Sequence, residues 1–166
     1  MTTARHLLVR AADQASLKET TFSHPLNPRS EIHMRSLGDA VGLQRLGFHV
    51  YRVPPGKESF AYHAHYTEEE LLFILAGRGI AEIAGEKFEV GPGDFLGFPT
   101  PSVAHHLYNP FEEDLVYLAG GERRPAEIAD FPKNGKRLVR VGMSFSFHDI
   151  DTAEGFGPLP QVMVER

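Results

Sequence analysis

From residue 43 onward, short apolar stretches alternate with turn punctuation: LQRLGFHVYRV, PPGKES, FAYHAHY, ELLFILA, GRG, IAEIA, GEKFEV, GPGD, FLGFP and AHHLYN. Apolar runs of this length, separated by Gly, Pro and polar residues, predict an antiparallel meander of β-strands. The connectors at residues 77–79 and 91–93 carry the glycines that tight hairpins need for positive φ. Strands are predicted to resume at 114–119, 126–131 and 137–141. Before residue 43 the pattern is irregular and HPLNP at 24–28 breaks any helix, so residues 1–42 read as an N-terminal arm with one strand at 31–35. After residue 141 a Gly/Pro-broken tail runs to 166 without a clear period. So many short strands must close into a barrel or sandwich, because an open sheet leaves long unpaired edges.

Composition narrows this all-β reading. The 166 residues suit a single domain (arm 1–42, barrel core 43–141, tail 142–166), and 16 Gly with 12 Pro fit many turns. The net charge of -5 and the lack of any Lys/Arg run leave no basic field for nucleic acid or an anionic membrane. There is no Cys, so thiolate ligands, thiol nucleophiles and disulfides are excluded, and any metal must be held by His and carboxylates. No signal peptide or membrane span is predicted, and a cytoplasmic protein is expected.

The segment PPGKESFAYHAHYTEEELLFILAG holds most of the chemistry. His63 and His65 lie two apart in a predicted strand, so both leave the same face with Cα atoms roughly 6.6 Å apart. Ala61 and Ser59 share that face and are small, whereas Phe60, Tyr62 and Tyr66 are expected on the other. The next strand begins near Glu70, and antiparallel pairing is expected to return its first residues beside the two histidines. His105 opens the AHHLYN strand and can close the ring from across the barrel. Imidazoles plus a carboxylate suit one divalent ion, Fe, Mn, Ni, Co or Zn, with positions left for water or substrate.

This stretch resembles the two sequence motifs of the cupin superfamily. Gly56 is followed by six residues, one more than the family pattern, then by His63 and His65, four residues to Glu70, and six more to Gly77. The second motif reads Gly93, Pro99, Pro101 in place of a glycine, then three residues to His105 and three more to Asn109. The resemblance implies a jelly-roll barrel, often a homodimer, with metal in its mouth. The interval to Gly77 selects Glu70 over Glu68 and Glu69, and the interval to Asn109 selects His105 over His106. His106 then points to the opposite face, and Asn109 is expected to satisfy a strand end or turn. Reactions of metal-bearing cupins include dioxygenation, decarboxylation and sugar-phosphate isomerisation, and some members only bind ligands.

Around this set, His49 and Tyr51 share a parity and either face the interior as a base or donor, or lie on the surface of a covering strand. Arg45, Arg52, Lys57 and Arg78 are the cations expected near the barrel mouth, where Lys57 or Arg52 would bind a substrate phosphate, although ordinary solvated surface charge explains them as well. Phe73, Phe88, Phe95 and Phe98 are expected in the core. His6, His24, His33 and His148 have no spacing partners and receive no role. The expected function is metal-centred conversion of a small oxygen-bearing metabolite, oxygenase-like or isomerase-like. The alternative is a cupin that binds or senses a small molecule without turning it over. No helix-turn-helix pattern is present to suggest a regulator.

Overall fold

The computed structural model describes residues 4–152. Thirteen strands are present among them: β1 (Thr20–Phe22), β2 (Ile32–Ser36), β3 (Leu46–Val53), β4 (Ala64–His65), β5 (Glu70–Ala76), β6 (Gly79–Ile83), β7 (Glu86–Val90), β8 (Phe95–Phe98), β9 (His105–Tyr108), β10 (Leu115–Glu122), β11 (Ala126–Phe131), β12 (Lys136–Val141) and β13 (Ser144–Asp149). One antiparallel sheet runs β1-β2-β3-β10-β5-β8. Opposite it lie β13-β12-β11-β4 and β7-β6-β9, which the backbone pairing of His63 with His105 links into one layer. The result is the jelly-roll arrangement that the family resemblance implies, with crossovers such as β3-β10-β5 in place of the consecutive meander that the alternation predicts. No helix among the described residues is long and apolar enough to cross a membrane.

The core sits between the layers. Tyr51, Val53, Leu72, Ile74, Leu96, Phe98, Leu115 and Tyr117 of the six-stranded sheet pack with Ala81, Val90 and Leu107 of the other layer. A smaller cluster joins Ala61, Ala129 and Phe131. Gly77 makes the β5–β6 corner possible: its φ is 69°, and an added Cβ would stand 2.1 Å from the Asp114 carbonyl oxygen.

Several expectations change here. FAYHAHY does not form one continuous strand. Ser59 and His63 donate backbone bonds to Leu107 and His105 on β9, whereas Tyr66 donates to Ile128 on β11, so the segment changes partners midway. Only Ala64 and His65 belong to a ladder. Strict alternation is lost at that switch, and Phe60 packs toward Tyr51 and the core instead of turning away. Glu70 does not return beside the histidines as a paired strand, because β5 pairs with β10 and β8 in the opposite sheet. The arm contributes two strands, not one. The start of the tail forms β13, whose S-F-S-F alternation pairs with β12; residues 153–166 lie outside the described residues. Of the four phenylalanines expected inside, only Phe98 is buried; Phe73 and Phe95 fall on the outward phase of their strands, whereas Phe88 shares the phase of buried Val90 but stays exposed on the edge strand β7.

Candidate metal centre

His63, His65, Glu70 and His105 converge, each offering one ligand atom, with all four atoms within 4.8 Å of one another. His63 and His65 come from the segment that switches partners, His105 from the start of β9, and Glu70 from the first residue of β5 across the interior. The ring orientations are fixed from behind. His63 Nδ1 lies 2.8 Å from the Ala61 carbonyl oxygen and His105 Nδ1 lies 2.9 Å from that of Val103. A carbonyl only accepts, so both Nδ1 atoms carry the proton and both Nε2 atoms present a lone pair inward. His65 Nδ1 faces Glu127 Oε1 at 3.3 Å, which turns its Nε2 inward as well.

The donor separations suit a metal. Nε2 of His63 and His65 are 3.0 Å apart, and Nε2 of His105 is 2.9 Å from Glu70 Oε2. Ligand bonds of about 2.1 Å at right angles leave neighbouring donors roughly 3.0 Å apart. Two facing imidazole lone pairs repel unless a proton or a cation stands between them. His63 is poorly suited to hold that proton: burial, with His65 adding to it, pulls its pKa down to about 3. Burial alone would also lower His65, but Glu127 and Glu70 outweigh it and raise the pKa to about 9. Glu70 stays ionised, because bonds to His105 and His65 overcome a burial effect of opposite sign. Three nitrogens and one carboxylate, without sulfur, form a donor set for a divalent transition ion. His65 and Glu70 keep 18% and 20% of their side chains exposed, so the centre can be reached from solvent.

Comparison with known proteins agrees with this arrangement. Residues 49–120 match the family model described as Cupin domain, a span that contains all four donors. A solved structure from Acidithiobacillus ferrooxidans, a protein named as a candidate sugar phosphate isomerase, is 37% identical and superposes with a TM-score of 0.89, covering 92% of this chain and 98% of that one. The chain belongs to the cupin superfamily. A second solved structure, named as a sugar phosphate isomerase from a cupin superfamily of Silicibacter pomeroyi, is 24% identical with a TM-score of 0.74, covering 87% of this chain and 91% of that one; it supports the fold alone. An uncharacterised protein of Methanocaldococcus jannaschii is 44% identical over 57 residues, which are 34% of this chain and 44% of that protein. The chain therefore spans less than half the length of that curated relative.

In this cupin the donors His63, His65 and Glu70 border a cavity of about 510 Å³ between the layers. His49 and Tyr51 face it, stacked with centroids 5.5 Å apart, so the interior alternative holds for both. His24, which spacing left without a role, lines it too, 5.1 Å from the Phe131 ring. None of Arg45, Arg52, Lys57 and Arg78 lines it. Arg52 pairs with Glu19 and Asp114, Lys57 with Glu31 and Arg78 with Glu89, each drawn to a carboxylate elsewhere. The cation at the cavity is Arg123 from the loop after β10, and no motif pointed to it. His106 lies on the opposite face, bonded to Glu82 at 3.1 Å, and Asn109 bridges the carbonyls of Val53 and Glu113.

Sequence reasoning also missed the supports behind the donors. Glu127, 2% exposed, accepts from Tyr66 and Thr67 as well as facing His65. Phe98 stacks on His105 with centroids 3.5 Å apart, and Phe131 lies nearly parallel to His63. Glu127 and Phe131 sit in β11, an alternating strand whose inward phase was readable but whose neighbours were not.

Proposed function

We propose that this cupin is a metal-dependent enzyme. His63, His65, Glu70 and His105 would hold one divalent ion, Fe, Mn, Ni, Co or Zn, and a small oxygen-bearing metabolite would be converted beside it. The observation that carries this reading is the convergence of three inward-facing Nε2 atoms and one carboxylate on a solvent-reached cavity. When bound, the ion supplies Lewis-acid polarisation of a substrate oxygen. The chain supplies proton handling. Burial, with Arg123 adding to it, lowers the His49 pKa, so His49 is a neutral acceptor at neutral pH. Burial, with Glu70 adding to it, keeps the Tyr51 phenol protonated, and it can serve as a donor. The name of the Acidithiobacillus ferrooxidans relative supports proton transfer of the isomerase type over oxygenation.

Elemental analysis of protein purified without added metal should find close to one transition ion per chain. His63→Ala and His105→Ala should each lose it, and full occupancy in both variants would remove the assignment. Metal-loaded His49→Ala should retain the ion and lose turnover; equal activity would favour the ligand-binding alternative or a different base. The proposal keeps the expectations of a cytoplasmic homodimer, and sedimentation equilibrium at one chain mass would remove the dimer.

A further inference from the structure

The walls of the cavity are aromatic. Phe22, Tyr51, Phe60, Phe131, Phe145 and Phe147 all border it. These rings do more than fill a core, because Phe145 and Phe147 remain 60% and 41% exposed on β13. Phe147 meets Phe131 edge-on at 5.8 Å, and Phe22 lies 5.7 Å from Phe60, so the rings form two adjoining pairs across the opening. Large rings left facing water beside a reachable cavity mark a surface that an apolar ligand would cover.

The charges point the same way. Glu68, Glu69 and Glu122 line the cavity together with Glu70, and the one Lys or Arg among its described lining residues is Arg123. Its Nη1 is already engaged, donating to Asp39 Oδ1 at 2.7 Å and to the Leu43 carbonyl oxygen at 3.5 Å. A phosphate monoester carries close to two negative charges and is ordinarily held by free Arg or Lys side chains or by a helix N-terminus. No helix among the described residues contributes to this lining.

We infer that the substrate of this site, on the metal-centred reading above, is a largely apolar molecule with an aromatic or similarly planar body, oxygen donors at one end and no phosphate. The oxygens face the four donors and the planar body lies among the phenylalanines. This departs from the substrate in the name of the Acidithiobacillus ferrooxidans protein.

Acetylacetone and benzoylacetone present the same pair of chelating oxygens, and a phenyl ring replaces one methyl in the second. Titrated calorimetrically into Zn-loaded protein, benzoylacetone should bind at least about tenfold more tightly. Phe147→Ala alters a half-exposed position and should fold normally. It should reduce that preference about threefold while leaving acetylacetone affinity unchanged. Fructose 6-phosphate and inorganic phosphate should bind more weakly than acetylacetone. Equal affinity for the two diketones, an unchanged preference in Phe147→Ala, or tighter binding of the sugar phosphate would each overturn the inference. Failure of the metal reading looks different: the phenyl preference and both affinities would persist in EDTA-treated protein, which would support the apolar cavity and remove the ion.

Discussion

A carboxylate buried beside an imidazole is stable only when both are paired, and Glu127 meets that condition through His65, Tyr66 and Thr67. Its own pKa is lowered because these bonds outweigh the burial effect that would raise it. Glu127→Gln preserves shape but removes the charge that orients His65, and chelator competition should show metal affinity reduced about 10–100-fold. Asn109, 1% exposed, joins Val53, Phe111 and Glu113 through one amide. Asn109→Ala leaves those backbone groups unpaired in the interior and should cost about 2–4 kcal/mol by urea unfolding. Glu82 accepts both Lys133 and His106. Burial would raise its pKa, but these partners lower it below the usual carboxylate value. Its contribution is therefore full above that value and fades as pH falls through the depressed one. Glu82→Gln should lose about 1–3 kcal/mol at pH 7, and the gap to the parent should narrow toward pH 3.

At the scale of elements, legibility followed the constancy of a strand's surroundings. β5, β6, β7 and β11 each keep one ladder partner along essentially their whole length, and their apolar patterns locate them to within about a residue. FAYHAHY leaves β9 for β11 midway, so no single period describes it and Phe60 was assigned to the wrong side. The four donors were legible because they fall within residues 63–105 and their intervals match a family motif. Arg123 and Phe147 reach the same cavity, and Glu127 the back of His65, from later in the chain through tertiary packing alone, which leaves no mark on local spacing. The β5–β6 corner gives a direct test of one element. Gly77→Ala must place a Cβ against the Asp114 carbonyl at a φ of 69°, and thermal unfolding should show a loss of more than about 2 kcal/mol.

At the scale of the whole molecule, an ion bound to the native state alone should stabilise it by mass action. With free metal at 100 times its Kd the gain is about 2.7 kcal/mol, a rise in Tm of roughly 5–10 °C for a chain of this size. Scanning calorimetry before and after EDTA treatment checks this, and His63→Ala should show no such rise. The donors are divided between the layers: Glu70 belongs to the six-stranded sheet, and His63, His65 and His105 to the layer opposite. β5 makes its ladders only with β10 and β8 among the described strands, so an ion held by all four side chains would rivet the two layers together at the cavity, a link added to the backbone bridges that Glu58 makes to Ser30 and Tyr108. Riveting has a reciprocal side. Whatever factor the ion adds to the grip on a coordinating substrate, that substrate must add to the grip on the ion, so a cell rich in substrate would keep the protein metallated at free-metal levels that would strip it otherwise.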